Sequence, residues 1–271
     1  MTVFEPRTVS ARAWRSWVVQ AFALQSRAKL KMLLAAAGVV LLWVAFARFA
    51  PLWLGMVAVF LSLPLLLGVF IYLAAVADQQ RGWVPRSAIA VVAGRLALVS
   101  LFNGALLFLI AAAISGLLSL WVVMPTSDPS LTLGLATQSQ AEVVEFPSLF
   151  FGTLVFIVLP LMMYFAQGLI PTLSVWFLVP LVMLTHLSLG AGYRLSRRAE
   201  RRNWENVNTS VLVSLAGLGL ILVSGGILAL IVLPFLGALQ YVSFRDVFLA
   251  QSENSAVTNT CLDSVAARSL R

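Results

Sequence analysis

The chain has 271 residues, of which 61% are hydrophobic and only 10% are charged, and its mean hydropathy is +0.98. About a quarter of the residues of a soluble domain are charged, so this composition excludes an ordinary soluble protein and indicates an integral membrane protein. The formal net charge is +8, but the bases lie in short segments between apolar runs. This pattern excludes nucleic acid as a partner, because nucleic-acid-binding domains present a continuous basic surface.

Residues 10–29 predict an amphipathic helix, the main part of a cytoplasmic N-terminal segment at 1–31. Ser10 suits the N-cap, since its hydroxyl can accept a hydrogen bond from an unpaired backbone N–H. The predicted apolar side holds Trp14, Trp17, Val18, Ala21, Phe22 and Leu24, and the polar side holds Arg12, Ser16, Gln20 and Arg27. The pattern fits a helix lying in the membrane interface. It fits equally well a helix packed on the protein's own cytoplasmic face.

The apolar runs between residues 32 and 245 predict an all-α, polytopic transmembrane helix bundle with about six spans and proline-kinked helices. About 20 apolar residues cross the ~30 Å hydrocarbon core of a bilayer. The runs that predict spans are 32–47, 52–77, about 98–124, about 150–172, 207–223 and 227–245. Pro51 suits the break between the first two, and Gly225 and Gly226 suit the reversal between the last two. Residues 246–271 are predicted to form a polar and disordered C-terminal tail.

The basic residues predict the orientation, because lysine and arginine are enriched in the cytoplasmic loops of membrane proteins. The acidic loop 125–147 contains no base, whereas six bases precede residue 32, three lie within 81–95 and five lie within 194–202. We therefore predict a multi-pass protein of the bacterial inner membrane. Both termini, the 78–95 link and the arginine run are expected in the cytoplasm, with the acidic loop outside.

Residues 148–193 are apolar over a length that suffices for two crossings. Two crossings would place the arginine run on the same side as the acidic loop, so the number of crossings is predicted to be odd. We expect one crossing at about 150–172, which continues through a proline-kinked portion into an interfacial helix carrying the arginines. Residues 173–193 are as apolar as a true span, so a separate span there is the alternative.

The run RLSRRAERRNWE at 194–205 is the candidate functional site. In a helix its basic residues occupy one broad side, followed by a tryptophan suited to the headgroup region. The candidate binding residues are Arg194, Arg197, Arg198, Arg201, Arg202 and Trp204. Each base near an anionic membrane contributes about 1 kcal/mol of attraction. The run predicts a contact with membrane lipids, another membrane protein or a second copy of the chain, and an ordinary cytoplasmic anchor is the alternative.

No residue pattern indicates catalysis. Neither a catalytic triad nor a phosphate-binding loop is present, and His186 has no nearby ligands with which to hold zinc. Two polar pairs, Arg95 with Asn103 and Tyr164 with Gln167, fit hydrogen bonding between helices better than chemistry. We therefore expect no enzyme activity, no metal and no cofactor.

Several short motifs are typical of one family of bacterial membrane proteins. They are Pro64 and Gly68 before DQQRGWV at 78–84, Ser196, Arg202-Asn-Trp204, and PFLGALQYVSFRD at 234–246. Over most of residues 12–248 the chain resembles the uncharacterised YciC-like inner-membrane proteins, which are related to the membrane domain of some glycerophosphodiester phosphodiesterases. The resemblance implies about six spans, no established activity and no catalytic residue. The chain has no counterpart of the phosphodiesterase domain, so the resemblance does not imply that chemistry.

These observations predict a non-enzymatic accessory, assembly or scaffold protein of the inner membrane. Its basic cytoplasmic helices would contact a partner or anionic lipid. The alternative is a carrier or channel for a lipid or a small hydrophobic solute, with a cleft between proline-kinked spans as its path.

Overall fold

The computed structural model describes residues 5–49, 52–78, 94–95, 97–99, 101, 105, 158, 161–169, 175–185 and 187–249. This part of the chain is helical and contains no strand, which confirms the all-α class for the described residues. The helices are α1 (Ala13–Arg27), α2 (Lys29–Phe49), α3 (Leu52–Ala77), α4 (Leu178–Leu184), α5 (Leu189–Arg202), α6 (Trp204–Val223) and α7 (Ala229–Phe244). A 3₁₀ turn, Gln167–Leu169, follows helical residues 161–166, and a π-helical turn, Arg245–Leu249, extends α7.

Helix α7 is the centre of the described fold. It is apolar on all sides, and nearly every side chain from Ala229 to Phe244 is buried, as expected of a helix surrounded by other helices. Helices α1, α2 and α3 pack directly against it. The closest approach is at Gly237, where a Cβ atom would overlap the backbone and Cβ of Phe70 in α3. A small residue at this position therefore lets the two helices touch.

The contacts along α7 give the directions of its neighbours. Helix α3 runs parallel to α7, because Phe70 meets Gly237 and Asp78, just after α3, meets Arg245. Helix α1 runs antiparallel to α7, because Trp17 contacts Asp246 whereas Gln25 donates a hydrogen bond to the carbonyl of Ile231, 2.9 Å away. The start of α1 and the end of α3 therefore lie at the same end of α7.

Helix α6 (20 residues) and the continuous element Ala229–Leu249 (21 residues) are each long and apolar enough to cross a membrane. Helices α1 and α2 meet at a bend of 91° and make a third candidate if the pair counts as one broken span. The predicted reversal between the last two spans is confirmed: Gly225 and Gly226 have φ angles of 62° and 88°, a region that glycine enters without strain. The helical structure continues to Leu249, past the predicted start of the polar tail at residue 246.

The apolar stretch 173–193 is broken in the described structure. Helix α4 has seven residues and is therefore about 10 Å long at 1.5 Å per residue, too short to cross a bilayer alone. Thr185 and Ser188 are extended, and a separate helix carrying the arginines begins at Leu189. The alternative of a separate span at 173–193 does not fit this break in the described residues.

Helix α1 corresponds to the predicted amphipathic helix, but its packing is that of a helix held against the protein. It buries Trp17, Ala21 and Leu24. Phe22 on the same predicted side is 51% exposed and stacks on Phe235, with the ring centroids 4.5 Å apart. The assignment of Ser10 as N-cap is wrong: the N-cap is Arg12, whose side chain makes no capping hydrogen bond.

Several predictions lie outside the described residues. They concern the acidic loop 125–147, most of the predicted span at 98–124, Asn103, His186 and residues 250–271. The predicted total of about six spans depends on these segments and stays a prediction.

Candidate functional site

Helix α5 carries the arginine run and has two distinct sides. Arg194, Arg198, Arg201 and Arg202 are exposed, and we call these four residues the arginine face. The opposite side of the helix packs inward through Gly192, Ser196, Ala199 and Glu200, which are all buried. The helix therefore lies on the protein surface with its charged side outward, in the arrangement that its sequence pattern predicts.

Hydrogen bonds fix the inner side of α5. The Ser196 hydroxyl donates to Glu200 Oε1 over 2.8 Å, and the backbone N–H of Phe177 lies 3.5 Å from the same oxygen. Phe177 comes directly before α4, so the buried carboxyl group joins the arginine helix to the turn at the start of α4. Polar groups that are buried in proteins are generally hydrogen-bonded in this way.

The five arginines differ in their partners. Arg202 donates to the carbonyl of Pro6 over 2.7 Å and forms an ion pair with Glu5 at 3.4 Å. The half-buried Arg197 lies over the ring of Tyr193, 5.8 Å from its centroid, within the range of a cation–π contact. The other three, Arg194, Arg198 and Arg201, form neither an ion pair nor a hydrogen bond with any described residue. Trp204 follows the face and is half-buried.

Residues 5–12, which we call the arm, run across the junction between α5 and α6. The side chain of Asn203 binds the arm backbone at two points: its Oδ1 accepts from the N–H of Val9 and its Nδ2 donates to the carbonyl of Arg7, both over 2.9 Å. Only 3% of Asn203 is exposed. One carboxamide thus pairs with an N–H and a C=O two residues apart, as a neighbouring strand would.

Asn206 provides the cap that Ser10 was predicted to supply. Its Oδ1 accepts a hydrogen bond from the N–H of Trp14 over 3.1 Å, and its Nδ2 donates to the carbonyl of Ser10 over 2.8 Å. The first N–H groups of a helix have no partner within the helix, and Trp14 is the second residue of α1. A buried asparagine of α6 therefore caps α1 from another part of the chain.

The arm also binds the end of α7. The Arg7 N–H donates to the carbonyl of Val247 over 3.0 Å, its Nε donates to the carbonyl of Asp246 over 2.5 Å, and its guanidinium group pairs with the Asp246 carboxylate. Trp17 Nε1 donates to the other carboxylate oxygen of Asp246 over 2.8 Å. The last carbonyls of a helix lack partners within it, so Arg7 satisfies two carbonyls in the final turn of the α7 element.

A second ion pair lies beside the first. Arg245 pairs with Asp78 and also donates to the side-chain oxygen of Gln20. The hydroxyl of Tyr241 donates to Asp78 over 3.1 Å. This group joins α1, the end of α3 and the end of α7.

Three segments that are far apart in sequence therefore meet at one end of the described helices: the arm, Asp78 and the 202–206 junction. The sequence predicts that they share one side of the membrane, and their contacts agree with that expectation. The six N-terminal bases do not form one group, however. Arg27 is twelve residues beyond Arg15 along α1, which corresponds to about 18 Å, and it lies towards the opposite end of α7.

The sequence patterns considered above do not predict Asn203 and Asn206 as organising residues. One sequence feature does point to them: the two asparagines flank the start of a long apolar helix. A side-chain amide at such a place is expected to have a specific hydrogen-bond partner. Arg95 donates to the carbonyl of Leu187 over 3.4 Å, a hydrogen bond to another segment of the kind predicted, whereas Asn103 lies outside the described residues. The buried polar atoms of Tyr164 and Gln167 form no hydrogen bond of normal geometry, so hydrogen bonding between helices by this pair stays a prediction. In the described part of the chain, no three His, Cys, Asp or Glu residues come together as a metal site would require.

No family model matches the chain, and neither a curated protein nor a solved structure matches it. The resemblance to YciC-like proteins therefore stays a prediction.

Proposed function

We propose that this chain is a non-enzymatic accessory, assembly or scaffold protein of the bacterial inner membrane whose arginine face binds anionic phospholipid headgroups at the cytoplasmic surface. The observation that carries the proposal is the state of Arg194, Arg198 and Arg201. They are exposed on a surface helix and make no ion pair with a described residue. Their charges are therefore available to a ligand from outside the described fold.

The spacing of these three arginines suits phosphate groups. Arg194 and Arg201 are seven residues apart, about 10 Å along the helix, with Arg198 between them on the same side. A guanidinium group can bind a phosphate through two parallel hydrogen bonds. At about 1 kcal/mol for each base near an anionic surface, three free arginines contribute roughly 3 kcal/mol.

The inner side of α5 supports the proposal because it holds the face in place. The Ser196–Glu200–Phe177 contacts and the arm bonds of Arg202 and Asn203 fix both the helix and its C-terminal end. Groups held before binding lose less entropy when a ligand arrives. A lipid surface would therefore meet a helix that is already oriented.

The wider arrangement belongs to the same proposal. The chain would be a multi-pass protein of about six spans, with both termini and the arm in the cytoplasm. A membrane protein partner, or a second copy of the chain, could use the same arginine face and is the competing occupant.

The test is a lipid titration of the purified protein in a mild non-ionic detergent, followed by thermal unfolding. Phosphatidylglycerol should raise the Tm of the wild type by several degrees more than phosphatidylcholine does. The variant R194Q/R198Q/R201Q should lose most of this difference. The matched control R27Q/K29Q/K31Q also removes three exposed charges, but from the bend between α1 and α2, and it should keep the difference. Undiminished stabilisation of the α5 variant by phosphatidylglycerol would contradict lipid binding by this face.

A further inference from the structure

A small cavity lies inside the described bundle, away from the arginine face. Helical residues 161–166, the turn before α4 and helix α7 surround it. Its lining residues are Tyr164, Phe165, Gly168, Val175, Trp176 and Gln240. Its volume is about 10 Å³, close to the smallest space that holds one water molecule.

The cavity is lined by polar atoms that have no partner in the described protein. Gln240 is completely buried, and neither its Oε1 nor its Nε2 makes a hydrogen bond. Tyr164 is 4% exposed, and its hydroxyl lies next to the Gln240 side chain but forms no hydrogen bond of normal geometry with it. A buried polar group left unpaired costs about 1–3 kcal/mol. The cost is greater in a transmembrane element, because the hydrocarbon core supplies no water in exchange.

Side chains that line the cavity are held in place by contacts of their own. They are therefore not free to move inward, close the cavity and supply partners to its polar groups. Trp176 Nε1 donates to the hydroxyl of Ser243 over 2.9 Å, and that hydroxyl donates to the backbone carbonyl of Gln240 over 2.9 Å. The ring of Phe165 packs edge-on against Trp176, with the centroids 6.1 Å apart. The indole is therefore held on two sides.

We infer that this cavity is a binding site for a single internal water molecule, which bridges the Tyr164 hydroxyl and the Gln240 carboxamide. Water is the ligand that fits, because it both donates and accepts hydrogen bonds and matches the volume. An apolar occupant would leave the carboxamide unpaired, and a larger solute exceeds the space. The water joins residues 161–169 to α7, beside the direct bond by which Ser243 joins Trp176 to the same helix.

The direct test is a high-resolution density map of the wild-type protein. We expect a peak within 2.7–3.2 Å of both Tyr164 Oη and the side-chain amide of Gln240, the range of normal hydrogen bonds. The peak should disappear in Y164F/Q240M. A wild-type map with no peak, or with the carboxamide bonded directly to the tyrosine hydroxyl, would overturn the inference, as would density for an acyl chain.

A stability cycle provides a second measurement that also works if one variant folds poorly. The single variants Y164F and Q240M should each lower the Tm by several degrees, because each leaves the water and the other side chain with a missing partner. The double variant should lose clearly less than the sum, since it removes both polar groups together. The control pair is Y164F with Q25M. Q25M removes a carboxamide that lies away from the cavity and donates to the carbonyl of Ile231. The losses of Tm from these two substitutions should be additive. Additive losses for Y164F and Q240M would count against a shared ligand.

Discussion

The most specific contacts in the molecule are made by single buried carboxamides. Asn203 and Asn206 each use both ends of the side-chain amide on the backbone at the start of the chain. A buried carboxamide is stable only when its donor and acceptor are both satisfied. Each asparagine therefore specifies where the arm lies, and neither a hydrophobic nor a purely accepting side chain can replace it.

Substitution of these asparagines by aspartate should release the arm. In N203D and N206D the shape is kept, but the donor to the carbonyl of Arg7 or Ser10 is lost and an acceptor replaces it. Loss of a buried partner costs about 1–3 kcal/mol, so hydrogen exchange at the amides of Val9 and Trp14 should accelerate by roughly tenfold or more. Mass spectrometry of the peptide covering the arm measures this exchange.

The matched control is N208D, on the same helix, since Asn208 makes no described bond to the arm. It should leave exchange in the arm close to that of the wild type. If all three aspartate variants exchange at the wild-type rate, the asparagines do not hold the arm.

At the scale of elements, packing around α7 depends on one close approach and on helix ends capped from elsewhere in the chain. Gly237 allows α3 to touch α7, Asn206 caps α1, and Arg7 satisfies the final carbonyls after α7. The apolar periods of the sequence predict such helices, but they do not reveal which groups supply the caps. The reason is that each capping residue is about 190 to 240 positions away in sequence from the helix end that it caps.

Gly237→Ala should separate α3 from α7. The added methyl group would overlap the backbone and Cβ of Phe70, and overpacking of this kind costs about 1–3 kcal/mol. The Tm should fall by several degrees. Alanine at position 70 should not restore it, because alanine keeps the Cβ and backbone atoms with which the added methyl group overlaps.

Gly219→Ala is the control, because no neighbouring atom lies within 4 Å of the added Cβ. An open helical glycine replaced by alanine stabilises by about 0.5–1 kcal/mol, so the Tm should rise slightly or stay constant. Equal losses in the two variants would show that the α3–α7 contact is not tight.

For the whole molecule, sequence patterns predict the helical class, the reversal at Gly225-Gly226 and the surface helix with its arginines. They do not predict that α1 lies along α7. Interface binding and protein packing require the same amphipathic pattern, so the choice depends on tertiary partners such as Phe235 and Asp246. The sequence alone also presents the N-terminal bases as one group, although α1 places Arg15 and Arg27 about 18 Å apart along its axis.

The convergence of the arm, Asp78 and the 202–206 junction makes this end of the bundle a single unit. Its charge pattern favours the cytoplasmic side. The opposite end contains the glycine reversal between α6 and α7, where Ile227 is 75% exposed. The two ends can therefore be labelled separately.

Cysteine accessibility across the bacterial inner membrane tests the central claim most directly. In a C261S background, single cysteines at Thr8 and Arg198, which are both exposed, and at Ile227 would be treated with a membrane-impermeant maleimide. We predict that T8C and R198C react only after the membrane is permeabilised, whereas I227C reacts in intact spheroplasts. Reaction of R198C in intact spheroplasts would contradict the cytoplasmic position of the arginine face.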